Sequence, residues 1–124
     1  IARLWAQQGE VEDALRLQLE RLEVNKRLGD LDGQAAALWD IAQIELSRNE
    51  SEQAAPRIVE AYQIFDHLGR LDGICAIGAT FGHLLIRSGR RDDGLAVLRR
   101  SEQGYRQLQR PADADAVAGA GAAA

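Results

Sequence analysis

The stretch Leu28-Gly29-Asp30-Leu31-Asp32-Gly33 recurs as Leu68-Gly69-Arg70-Leu71-Asp72-Gly73, with the same offset at every matching position. A degraded third copy, Leu108-Gln109-Arg110-Pro111-Ala112-Asp113, follows at that offset again. A second series interleaves with the first in the same register: Gln8-Gly9-Glu10, Arg48-Asn49-Glu50 and Ser88-Gly89-Arg90. Two sets of turn signals in fixed register imply two elements per unit. Self-similarity at a period of roughly 20–50 residues marks a stacked array, in which each unit buries its apolar face only against its neighbours.

The intervals between turns read as amphipathic helices. Residues 1–8 form the tail of one, with Ile1, Ala2, Leu4 and Trp5 on its apolar side, and Gly9 is expected to break it. Glu10 to Asp13 then open a helix through Val11, Ala14, Leu15, Gln18, Leu19, Leu22 and Leu28, since carboxylates favour a helix start and Gly29 supplies the stop. Asp30 or Asp32 caps the next helix, whose apolar positions are Ala35, Leu38, Ile41, Ala42, Ile44 and Leu46. Asn49 replaces glycine at its end because asparagine tolerates the left-handed conformation. Ser51 is expected to cap the following helix, and Pro56 implies a later start or a mild kink. Residues 72–88 and 91–108 repeat the plan, with Gly78 and Gly82 admitting a close neighbour and Gly94 and Gly104 weakening the second helix. The Ala- and Gly-rich tail predicts a short capping helix around residues 113–120 that frays. Seven helical segments are expected in all.

The chain of 124 residues carries a net charge of -4 and one cysteine, Cys75. No intramolecular disulfide can form, which fits a reducing, cytoplasmic setting. No apolar run approaches the roughly 18 residues that would span a bilayer, and no signal peptide is visible. The sequence starts at Ile1 inside an apolar pattern, so a fragment of a longer protein is expected. Charge is uneven: residues 1–66 hold seven basic against thirteen acidic side chains, whereas residues 86–110 hold seven arginines against three carboxylates.

Hairpins of this kind resemble the tetratricopeptide repeat, in which the first helix reads W-x2-L-G-x2-Y and the second A-x3-F-x2-A. Ile1, Ala2, Trp5, Gly9, Ala14, Gln18 and Arg21 match its places in the first unit. Leu38, Ile41, Ala42, Glu45, Asn49, Ala54, Ile58 and Ala61 do so in the second, and Gly78, Phe81, Gly82, Leu85, Gly89, Gly94, Leu98 and Ser101 in the third. Small residues hold at the two crossing places in every unit: Ala2, Ala42 and Gly82, then Ala14, Ala54 and Gly94. The large aromatic places hold less well, and Lys26, Asp66 and Arg106 stand where the family has proline. The period looks like the long variant of kinesin light chains and bacterial regulators. The resemblance implies an all-α fold, a right-handed α-solenoid of antiparallel helical hairpins with about three repeats. Residues 1–28 would be a partial first repeat, 29–68 the second, 69–108 the third, and 109–124 a partial repeat or capping helix.

In that family the first helices line a concave groove for a peptide or partner helix. Carried over by register, its faces present Arg3 and Gln7, then Ala36, Trp39, Asp40, Gln43 and Ser47, then Ala76, Ala79, Thr80, His83 and Arg87. Trp39 lies off the stripe of Leu38, Ile41 and Ala42. It reads either as an exposed anchor for a partner or as a side chain packed on the adjacent unit. Trp39, Gln43 and Thr80 occupy places where the family's carboxylate clamp has Lys, Asn or Arg, so that ligand class does not carry over.

Catalysis, metals and cofactors are not expected. Cys75 and His83 are eight residues apart on one helix, about 12 Å along its axis, too far for a dyad. Cys75 matches the packing position Ala35. No CxxC or HxxxH cluster is present. An enzyme would need a pocket uniting His83 with a carboxylate such as Asp40. Arg90, Arg91, Arg99 and Arg100 could meet phosphates, yet one lysine and an acidic total argue for a solvated face, or a polar seam to a further repeat, and against nucleic acid. The expected function is a protein–protein interaction module within a bacterial regulator or scaffold. The alternative is a structural array that self-associates as a homodimer or by end-to-end stacking.

Overall fold

A computed structural model of the chain describes the backbone of residues 2–123 and the side chains of residues 9–121. Among the described residues it is all-α. Six helices follow in order: α1 (Ala2–Leu28), α2 (Leu31–Ser47), α3 (Ser51–Leu68), α4 (Leu71–Arg87), α5 (Arg91–Gln107) and α6 (Pro111–Ala123). The chain divides into two compact units, Ile1–Ala61 and Tyr62–Ala124. Among the described residues no helix is long and apolar enough to cross a membrane.

The five turns share one construction. Gly29, Asn49, Gly69, Gly89 and Gln109 all have positive φ, between 58° and 89°. Their spacing along the chain is uniform, so the two interleaved turn series are one. At each, the next N–H reaches back six residues inclusive to a helix carbonyl: Asp30 to Asn25, Glu50 to Glu45, Arg70 to Phe65, Arg90 to Leu85 and Arg110 to Tyr105, at 2.8–3.0 Å. This is the Schellman closure, which satisfies carbonyls left over at a helix end. The carbonyl of that same residue then accepts the first bond of the following helix, as in Gln34 N–H to Asp30 and Gly94 N–H to Arg90. One residue therefore ends one helix and caps the next.

Side chains support these caps differently. Asp30 Oδ1 accepts from the Gly33 N–H at 3.0 Å, so Asp30 rather than Asp32 is the cap of α2. Arg90 and Arg110 have the wrong charge for a helix start. Each reaches a carboxylate three residues on, Asp93 at 2.9 Å and Asp113 at 2.7 Å. Ser51 is the first residue of α3 and not its cap; Glu50 supplies the carbonyl that takes the Ala54 N–H. Pro56 does not delay α3, because its site is exposed and water can serve the Glu52 carbonyl that loses its donor.

Gly9 continues the same series one step towards the start of the chain, yet it is helical and α1 runs through it. Six helices replace the expected seven. A single glycine lowers helix stability by only about 1 kcal/mol and forbids nothing. With no return at Gly9, the described part of the apolar stripe of α1 is only partly covered. Among its described residues only Leu22 is buried, while Val11 and Leu19 are 36% and 38% exposed and Ala14 is exposed too; Leu17, Val24 and Leu28, on the opposite side of the helix, are 60%, 51% and 75% exposed. Ala54, the match of Ala14, is wholly buried.

In the first unit the remaining core is Ala35, Ala37, Leu38, Ile41, Ala42, Ala54, Ile58 and Ala61. Glu45 is buried with them, and Arg57 Nε lies 2.7 Å from its Oε1, an ion pair without hydrogen-bond geometry. In the second unit α4 and α5 cross where both are glycine. An ideal Cβ at Gly82 would stand 3.0 Å from the Gly94 carbonyl oxygen, and one at Gly94 would stand 2.6 Å from that of Gly82. A Cβ at Gly78 would overlap Ser101 Oγ, and one at Gly104 would overlap Cys75 Sγ. The α5 glycines are thus contact points in the pattern of α4, not simply weak positions. Cys75, Leu98, Tyr105, Ala114 and Val117 close this core, joining α4, α5 and α6.

Candidate interaction faces

The register that buries Leu38, Ile41 and Ala42 turns another side of α2 outward. On that side Ala36, Gln43 and Ser47 are exposed, and Trp39 and Asp40 are half-buried. Trp39 therefore combines packed ring surface with accessible ring surface. The Ser47 hydroxyl donates to the Ile44 carbonyl at 2.6 Å, so it is already engaged within its helix. Arg3 and Gln7 lie outside the described side chains.

In the second unit the corresponding side of α4 carries Ala76, Ala79 and Thr80, all half-buried, with His83 and Arg87 exposed. The face is less apolar than that of α2 and has no large anchor. Asp40 belongs to the first unit and His83 to the second.

Cys75 has no exposed surface. Burial raises its thiol above the ordinary value of 9.0, against the weaker pull of Arg100 and Arg110. Burial likewise raises the Tyr105 phenol, with Cys75 adding to the rise and Arg110 opposing it from 5.1 Å above the ring. Both groups are held neutral in packed surroundings. Among the described residues no group of three His, Cys, Asp or Glu side chains could hold a metal ion.

The arginine-rich segment is largely matched by carboxylates of its own unit. Arg100 bridges Asp66 at 2.5 Å and donates to the Tyr62 hydroxyl at 3.2 Å, and the Asp66 bond, more than any other contact, holds the guanidinium charged. Arg106 contacts Glu102 at 3.1 Å and Asp115 at 3.2 Å. With Arg90 and Arg110 tied to Asp93 and Asp113, the local excess of positive charge is mostly compensated.

Sequence reading does not find the Glu45–Arg57 pair or the Asp66–Arg100–Tyr62 group. The one local signal is Glu45, a charge four residues after Ile41 on the buried stripe. Its partner lies on the next helix, where no periodicity of α2 can announce it. Comparison of the chain with protein-family models, with curated proteins and with solved structures finds no match.

Proposed function

We propose that the chain is a protein-interaction module built from tetratricopeptide-like hairpins, a solenoid element of a larger bacterial regulator or scaffold. The outward face of α2 would bind a peptide or partner helix. The observation that carries this reading is the placement of Trp39. The buried stripe of α2 is complete without it, and a half-exposed Trp between Asp40 and exposed Gln43 offers the large amphipathic surface from which binding anchors are made. The face of α4, with Thr80, His83 and Arg87, would add polar contacts and discriminate between partners. Compensation of the third-repeat arginines supports a protein partner over a nucleic acid.

The test is selection of binders from a displayed peptide library, followed by titration of the best peptide against the parent chain and Trp39→Ala. The reading expects at least a tenfold loss in the variant, about 1.4 kcal/mol. Undiminished binding in Trp39→Ala would remove α2 from the site.

A second reading rests on α1. Leu17, Val24 and Leu28 follow spacings of seven and four on one side of that helix and are largely exposed. Such a stripe fits self-association through paired helices. Light scattering on the eluting parent chain and on Leu17→Lys/Val24→Lys distinguishes the two: a dimer dissolved by those changes favours the scaffold, and a monomer favours the ligand-binding module.

A further inference from the structure

In the second unit Tyr62 of α3 and Phe81 of α4 form a tilted aromatic pair, their ring centroids 5.2 Å apart at 56°. One period on, at the junction of α5 and α6, the matching positions are Glu102 and Gly121. A cavity of about 280 Å³ opens there. Leu95, Leu98 and Val117 form its apolar lining, Ala118 and Gly121 leave its α6 side open, and Arg99 and Glu102 stand at its edge. The cavity therefore lies where the preceding junction is filled by two rings.

We propose that this cavity binds a single-ring aromatic carboxylate, with the ring on Leu98 and Val117 and the carboxylate on Arg99. The volume is just below the roughly 300–1,000 Å³ of drug-sized ligand pockets, which suits one ring. Leu98 and Val117, 2% and 6% exposed, give it a firm apolar floor. The electrostatics select the sign of the ligand. Glu102 is already matched by Arg106 at 3.1 Å, whereas Arg99 meets no carboxylate among the described residues. A guanidinium in the wall of a cavity with an apolar floor favours a planar anion, which it can hold through two parallel hydrogen bonds. This site is separate from the proposed α2 face and stands or falls without it.

The chemistry could come from a small aromatic acid or from an aromatic residue at a peptide's C-terminus. Phenylacetate and N-acetyl-glycyl-phenylalanine, titrated into the labelled chain while amide NMR shifts are followed, separate the two. N-acetyl-phenylalaninamide is the neutral control. The proposal expects saturable shifts at Val117, Ala118 and Gly121 with at least one acid, and at least tenfold weaker binding of the amide and in Arg99→Gln. Gly121→Phe should abolish binding by filling the cavity. That variant has room, because an ideal Cβ at Gly121 stands 3.8 Å from Leu98 Cδ1, an ordinary contact. Its fold is checked by its own amide spectrum, and Ala118→Leu serves as a second filling variant. Absence of saturable shifts with both acids would overturn the proposal. So would equal binding of the neutral amide, or binding that survives in a folded filled variant.

Discussion

Replacing Gly94 by alanine tests the close approach of α4 and α5. In an exposed helix the change would stabilise by up to about 1 kcal/mol, since glycine is the poorer helix former. At Gly94 the new methyl would stand 2.6 Å from the Gly82 carbonyl oxygen and 3.1 Å from the Ile86 nitrogen. The Ile86 Cγ1 atom, also 2.6 Å away, could turn aside, but ordinary contact begins at 3.4 Å, so α4 and α5 must separate by about 0.8 Å to relieve the Gly82 carbonyl, which is backbone. Overpacking of this kind costs about 1–3 kcal/mol, more than the gain in propensity. The net expectation is a loss of roughly 1–2 kcal/mol. Gly119→Ala is the internal control, because nothing lies within 4 Å of its ideal Cβ. There the same substitution should stabilise by up to about 1 kcal/mol. Urea unfolding followed by helical circular dichroism reads both, with midpoints moving in opposite directions and about 1 M apart for a slope in the usual range. A Gly94→Ala chain as stable as the parent would refute the close crossing of α4 and α5.

Arg57→Ala should destabilise by about 1–3 kcal/mol, because it strands the buried Glu45 carboxylate; the figure is below that for a fully buried pair because Arg57 is 32% exposed. Urea midpoints check it, and Glu45→Leu/Arg57→Leu should recover most of the loss. Gln109→Gly should stabilise by about 1 kcal/mol by removing a side chain from a residue at φ 58°, whereas Gly69→Ala at φ 69° should destabilise by a similar amount; thermal unfolding of the two variants reads the sign. Stability should fall in alkali: Cys75 and Tyr105 are both raised on folding, so their contribution is full below their ordinary values of 9.0 and 10.0 and is lost as pH rises through the folded ones. Urea midpoints at pH 8 and pH 10.5 measure it, and Cys75→Ala/Tyr105→Phe should flatten the difference.

The turn-and-helix frame is legible in the chain itself. Gly29, Gly69, Gly89 and Asn49 announce left-handed helix ends, because those residues adopt positive φ at least cost. Even Gln109, which carries no such signal alone, is placed by its register with Gly29 and Gly69. The stripe of Leu38, Ile41 and Ala42 likewise predicts burial from helical spacing. These are local properties, set by backbone sterics and by a period of 3.6 residues.

Other features depend on what lies opposite. Gly9 has the turn signal and the register, yet it is helical, since a glycine permits a turn without compelling one. Trp39 is half-buried, an outcome the identity of its neighbours on α2 leaves open. Gly94 and Gly104 read as weak helix positions until Gly82 and Cys75 are found against them. The cavity beside Glu102 exists because its filling residues are missing from two different helices at once. Packing and pairing of this kind are properties of side chains distant in sequence, so the tertiary structure alone decides them.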